Sequence, residues 1–189
     1  MTVNQLVLCP ADPSHTLESK RDLLYRLEQA GFIGAPLMLD GQQHYRPGDR
    51  FLQLLTFLGC SPVVSLGEPG ATGDEYCHIK LDGSYDRPRF LAGSNVKTPR
   101  CPGCGFRIDA WQQLVAQWQD CPGQPWQCPL CGKVYQVPQL RWRQCAGFGR
   151  FFLRIWGVFE GEAVPSEELM KLLREVSGFD WQYFYLREG

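Results

Sequence analysis

The apolar positions near the start of the chain change from strand-like to helix-like spacing and back. An apolar run at residues 4–9 predicts a strand. Leucines spaced for one helical face follow within residues 17–27, and Ser14 or Thr16 could cap that helix. The apolar run at residues 32–39 predicts the next strand. The chain therefore opens as strand, helix and strand.

The strongest helical pattern in the chain covers residues 49–59. Phe51, Leu54, Leu55 and Leu58 recur at intervals of three and four, which predicts a helix with a wide buried face. The chain then continues with a predicted strand at 61–66, an exposed glycine-rich loop at 67–75 and a further strand at 76–82.

The other end of the chain repeats the order of the first. Residues 150–159 predict a strand rich in aromatic and β-branched side chains. Residues 165–178 predict a helix with Ser166 as its cap and Gly178 at its end. Residues 179–186 predict a closing strand.

The composition is that of a folded globular protein, with 44% hydrophobic and 13% aromatic residues among 189. The start of the chain lacks the features of a secretory signal. No stretch reaches the length of about 18 apolar residues that a membrane span requires. We therefore expect a cytoplasmic protein. Cytoplasmic thiols stay reduced, so metal binding explains the nine cysteines better than disulfides do.

Two five-residue stretches in the middle of the chain share one pattern, CPGCG at 101–105 and CPLCG at 128–132. Two residues between cysteines allow one tight turn to direct both sulfurs at a common ion. The glycine after each pair can adopt positive φ, so that backbone N–H groups turn toward the sulfurs. The pattern predicts a zinc ion, with iron as the less favoured alternative, bound by Cys101, Cys104, Cys128 and Cys131.

Over about residues 99–135 these stretches resemble the knuckles of zinc-ribbon and rubredoxin-like modules. Those modules usually have a β-hairpin between their knuckles. Here residues 109–120 predict a tryptophan-bearing helix capped by Asp109. The resemblance implies a treble- or ribbon-like zinc-knuckle insert.

These patterns together predict an α+β fold, a mixed sheet with packed helices that carries the knuckle insert in mid-chain. Residues 1–96 would form the first part of the α+β domain, residues 97–145 the insert, and residues 146–189 the strand, helix and strand that complete the domain. We expect both ends of the chain to share one sheet.

The predicted metal site has a structural rather than a catalytic ligand set. Catalytic zinc keeps a coordination position open, whereas four thiolates close the sphere. Asp109 and Asp120 are the only acidic residues between the first and last ligands, and no glutamate is placed for proton transfer. Cys121 could replace Cys128 as a ligand, but the spacing favours Cys128. We expect a non-catalytic protein.

Positive charge is concentrated around the knuckles, since residues 97–154 hold eight Lys and Arg but two acidic residues. A basic, tryptophan-rich surface is expected there, which favours a protein partner. The alternative is RNA or DNA, because guanidinium groups bind phosphates and aromatic rings stack on bases. No membrane partner is expected. The predicted partner-binding residues are Trp111, Trp118, Arg141, Trp142 and Arg143.

Overall fold

A computed structural model describes residues 3–59, 64–67 and 76–189 of the chain. Within these ranges the α-helices are α1 (Lys20–Gln29), α2 (Trp111–Asp120) and α3 (Glu167–Ser177). The strands are β1 (Val3–Pro10), β2 (Ile33–Leu39), β3 (Gln42–Pro47), β4 (Leu55–Phe57), β5 (Ile79–Gly83), β6 (Arg89–Ala92), β7 (Pro125–Gln127), β8 (Val134–Gln136), β9 (Ala146–Gly149), β10 (Phe151–Trp156), β11 (Ala163–Pro165) and β12 (Trp181–Glu188).

The largest element is a six-stranded sheet in the order β12-β1-β10-β5-β3-β2. Its first and last strands in the sequence, β1 and β12, pair along their whole length, from Val3 opposite Glu188 to Pro10 opposite Trp181. The α+β class and the shared sheet at the two chain ends are therefore confirmed. Neighbouring strands of this sheet all run antiparallel, a more uniform arrangement than the mixed sheet expected.

Helices α1 and α3 cover one face of the sheet and form the first core with it. Leu23 and Leu27 of α1 are fully buried there, as are Leu169 and Leu173 of α3. Side chains alternate between the two faces along a strand, so every second residue of β1 and β10 contributes to this core. These residues are Leu6 and Leu8 of β1 and Phe151, Leu153 and Ile155 of β10.

The structure corrects one predicted helix cap and agrees with another. Ser19, rather than Ser14 or Thr16, caps α1, because its side chain accepts a hydrogen bond from the Asp22 N–H at 3.1 Å. Ser166 caps α3 as predicted.

The prediction of a helix at residues 49–59 is wrong. This stretch forms one 3₁₀ turn, Phe51–Gln53, followed by strand β4, which pairs with β11. Phe51, Leu54 and Leu55 are buried in the first core, as a helix would also bury them, whereas Leu58, predicted on the same face, is exposed. Pairing with a strand more than a hundred residues away decided the conformation. Residues 61–63 of the predicted strand and 68–75 of the predicted loop lie outside the described ranges. Of residues 64–67, which are described, only Ser65 forms a β-bridge, with Tyr76.

A second core lies within and beside the cysteine segment, which we define as residues 97–145. Strands β6 and β9 pair beside it and add Phe90 and Phe148 to its apolar side chains. The limits of the insert, 97–145, stay a prediction. The buried members of the second core are Ile108, Val115, Trp118, Val137, Leu140, Trp142, Ala146 and Phe148.

None of the helices in the described ranges combines the length and the hydropathy that crossing a lipid bilayer requires.

Candidate metal centre

Two tight turns with the same backbone geometry present the four cysteine sulfurs. In the first turn the Cys101 N–H donates to the Phe106 carbonyl and the Gly105 N–H to the Cys101 carbonyl, each at 2.9 Å. The second turn, at residues 128–133, repeats both hydrogen bonds at the same length. Gly105 has a φ of +77°, and Gly132 has a φ of +69°. Both therefore adopt the left-handed conformation for which glycine is suited.

The four sulfurs converge on one point, all lying within 4.8 Å of one another. The Sγ atoms of Cys101 and Cys131 are 3.7 Å apart, and those of Cys104 and Cys128 are 3.6 Å apart. A tetrahedral ion with metal–sulfur bonds of about 2.3 Å separates its sulfurs by about 3.8 Å. The four cysteines are therefore positioned to bind a metal ion.

Backbone amides act on the ionisation of these thiols. Burial raises the pKa of Cys128, but hydrogen bonds from the Cys131 and Leu130 N–H groups and the neighbouring thiols bring it down to about 7. At Cys104 the Phe106 N–H lowers the pKa, but partial desolvation and hydrogen bonds with the other three thiols raise it to about 12. Thiolates this close repel one another, so a cation is needed before all four can ionise.

The centre has a buried side and an exposed side. Cys101 and Cys128, the first cysteine of each turn, are buried, whereas Cys104 and Cys131 reach the surface. Cys121 is exposed and lies outside the cluster, which agrees with the assignment of Cys128 as the ligand position.

Helix α2 lies between the two turns, as predicted from its tryptophans. Its cap differs from the prediction, since Ala110 occupies the capping position and makes no side-chain hydrogen bond to the helix. Asp109 instead accepts a hydrogen bond from Arg107 Nε at 2.6 Å. Val115 and Trp118 face the second core, which places the helix against the chain that carries the cysteines.

The prediction of a tryptophan-rich surface is wrong for two of its tryptophans, which are buried. Trp118 is 3% exposed and Trp142 is 5% exposed. Both rings pack against Phe148, at centroid distances of 4.9 and 5.4 Å, and the Trp142 Nε1–H donates to the Val137 carbonyl. Trp111 is half-buried at the edge of the same core. Strands β6 and β9 supply the apolar partners that the insert alone lacks.

The two predicted arginines are exposed and lie beside the first turn. Arg141 Nη2 donates to the Pro102 carbonyl at 2.6 Å, and Arg143 Nη2 donates to the Thr98 carbonyl at 3.1 Å. Two further exposed arginines that were not among the predicted residues, Arg100 and Arg107, lie close by. The signal that could have identified them is their position immediately before and shortly after the first cysteine pair.

A second polar cluster lies on the sheet face opposite the helices, beside a cavity of about 490 Å³. Arg154 donates to Gln5 Oε1 at 2.8 Å and to Glu188 Oε1 at 2.9 Å. Burial lowers the pKa of His44 and brings that of His78 to about 4, so both imidazoles are neutral at pH 7. The cluster is charge-paired, and in the described ranges only the four cysteines bring three or more metal-ligating groups together.

Comparison with known proteins found no match. No family model matches the chain, and no match was found among curated proteins or solved structures. The centre is therefore defined by its own geometry, that of four cysteines placed to bind a metal ion.

Replacing Gly132 by alanine is expected to weaken the centre. A side chain in the left-handed conformation costs about 1–2 kcal/mol, and no described atom lies within 4 Å of the added Cβ, so the cost comes from the backbone. Chelator competition should show a metal affinity lower by about tenfold. Gly132→Asn is the matched control, because asparagine tolerates positive φ better than alanine does. Equal affinity in Gly132→Ala and the parent protein would contradict this explanation.

Proposed function

We propose that Cys101, Cys104, Cys128 and Cys131 bind one zinc ion and that the ion has a structural role. The observation that carries this proposal is the spacing of the sulfurs, with close pairs at 3.6 and 3.7 Å. Zinc has no geometric preference of its own and takes four thiolates in a tetrahedron more commonly than other divalent ions do. Iron, which accepts the same ligands, is the alternative that metal analysis must separate.

The ligand set supports a non-catalytic role for the ion. Four protein sulfurs leave no position for a water or a substrate. Asp109, one of the two acidic residues between the cysteine pairs, is exposed and paired with Arg107. It is therefore engaged elsewhere instead of serving as a proton donor at the metal.

The ion would hold together two turns that α2 separates in sequence. Each turn also borders the second core, since Ile108 follows the first turn and Val137 follows the second. A zinc ion in comparable small modules contributes on the order of 10 kcal/mol to folding. We therefore propose that the metal keeps the cysteine segment folded, as an interaction module of a cytoplasmic protein.

The partner of this module is the second part of the proposal. The sequence favours a protein partner because of its tryptophans, but the structure buries those at positions 118 and 142. Leu130 and Val134, which are 69% and 58% exposed, are the apolar side chains that the second turn still offers to a protein. The exposed residues beside the first turn are arginines, and these favour the alternative partner, nucleic acid.

Metal analysis with X-ray absorption on the purified protein tests the zinc assignment. We expect one zinc per chain, four sulfur neighbours at about 2.3 Å and no oxygen or nitrogen neighbour. An iron content of one or more atoms per chain would change the assignment of the metal from zinc to iron. A folded protein without metal, or a shell with three sulfurs and a lighter atom, would overturn the structural assignment.

A further inference from the structure

Three exposed arginines stand side by side next to the first cysteine turn. Antiparallel bridges pair Arg100 with Arg107 on one side and with Arg141 on the other. Arg100 and Arg141 exchange two backbone hydrogen bonds, at 2.9 and 3.2 Å. Residues directly opposite in such pairs point to the same side, with Cβ atoms about 4.5–5.5 Å apart. We call Arg107, Arg100 and Arg141, in that spatial order, the arginine row.

The arginine row is an energetically unfavourable arrangement by itself, because like charges directly opposite one another destabilise an antiparallel pair. Arg107 is paired with Asp109. Arg100 and Arg141 donate to the Gly105 and Pro102 carbonyls, which carry no charge. In the described part of the chain, neither Arg100 nor Arg141 forms an ion pair with a carboxylate.

The negative charge of a zinc ion bound by four thiolates would not neutralise the arginine row. A zinc ion with four thiolates carries about two negative charges. Two more cationic side chains lie near the same turn, since Arg143 binds the Thr98 carbonyl and the Lys133 stem lies beside Gly103. Five cations therefore face Asp109 and a doubly negative centre. The surplus positive charge is exposed to solvent.

We propose that the arginine row binds the phosphodiester backbone of a nucleic acid. This inference rests on the proposed function, because the metal holds the turn beside which the row stands. Guanidinium groups bind phosphate oxygens in a bidentate manner, and closely spaced arginines suit a polymer that carries one negative charge per nucleotide. Stable protein interfaces have an apolar centre, whereas the neighbours of the row described above, Arg143, Lys133 and Asp109, are charged.

The mode of binding follows from what the row lacks. The tryptophans at 118 and 142 are buried, so they are not available to stack on bases. Contacts from arginine to phosphate carry no sequence information. The row therefore binds the backbone independently of base sequence.

Fluorescence anisotropy with labelled 20-nucleotide single-stranded RNA, single-stranded DNA and duplex DNA tests the proposal, with polyglutamate as a competitor. The test protein is the full-length R100Q/R107Q/R141Q variant. The matched control R21Q/R26Q/K171Q removes the same charge from exposed positions on α1 and α3. R100K/R107K/R141K keeps the charge but loses the planar fork. Zinc content is measured on every sample.

We expect the parent and the control to bind with a log affinity that falls linearly with log salt. At 50 mM salt the glutamine variant should bind at least about tenfold more weakly, and its salt slope should be smaller by about 2 on single strands, since three contacts at about 0.7 each are lost. The lysine variant should bind between the two. The nucleic acid bound most tightly identifies the source of the phosphates.

Two outcomes would overturn the proposal. The first is a zinc-loaded parent protein that binds none of the three nucleic acids, or a zinc-loaded glutamine variant that binds like the control. The second is displacement of the oligonucleotide by polyglutamate at an equal concentration of charge, which would make the row a site for an acidic protein. A parent protein without zinc would instead contradict the proposed function, so the two failures are distinguishable.

Discussion

Serine in place of Cys101 will leave the protein without bound metal and with an unfolded cysteine segment. Cys101 is fully buried, and its sulfur is one of the four that converge. Metal binding in comparable modules contributes on the order of 10 kcal/mol or more, as much as the whole stability of a typical domain. Zinc content should fall to background, and limited proteolysis should cleave first within residues 97–145.

Cys121→Ser is the matched control for that experiment, since Cys121 lies in the same segment but outside the cluster. It should keep its metal and resist protease like the parent protein. A Cys101→Ser protein that kept both properties would show that the four cysteines are not the metal ligands.

The Trp142→Ala variant should lose about 3–5 kcal/mol of unfolding free energy, the loss that a large aromatic cavity produces in a core. The Trp142 ring packs against Phe90 at 5.3 Å and Phe148 at 5.4 Å between centroids. Its Nε1–H donates to the buried Val137 carbonyl at 3.0 Å, so the truncation also removes a hydrogen bond. Urea denaturation of zinc-saturated protein measures the loss.

Trp142→Phe separates the two contributions, because phenylalanine keeps most of the ring contacts and removes the indole N–H. We expect it to lose about 1–2 kcal/mol. If Trp142 served a partner rather than the core, alanine would leave the unfolding free energy within about 0.5 kcal/mol of the parent value, as for a surface substitution.

The cysteine cluster could be predicted because the features that form it are local. Each turn closes within six residues, and its cysteines and glycine occupy fixed positions in that stretch. The same holds for the cap of α3, where the Ser166 side chain accepts a hydrogen bond from the N–H group of Leu169, three residues later. Short-range hydrogen bonds of this kind leave a signature in adjacent residues.

The features that could not be predicted depend on long-range pairing. Residues 55–57 form a strand because β11 pairs with them. Trp142 is buried because β6 and β9 bring Phe90 and Phe148 to it. The arginine row exists because Arg141 pairs with a residue about forty positions earlier in the chain. Each depends on which distant segment lies alongside, and a single sequence does not show that.

Strands β9 and β10 follow one another across a single residue, Arg150, yet they serve different cores. Phe148 belongs to the second core and Phe151 to the first. Because side chains alternate along extended backbone, adding or removing one residue at this junction would turn every β10 side chain to the opposite face. The length of this connection is therefore fixed by two hydrophobic interiors at once, and natural variation here should take the form of substitutions rather than insertions or deletions.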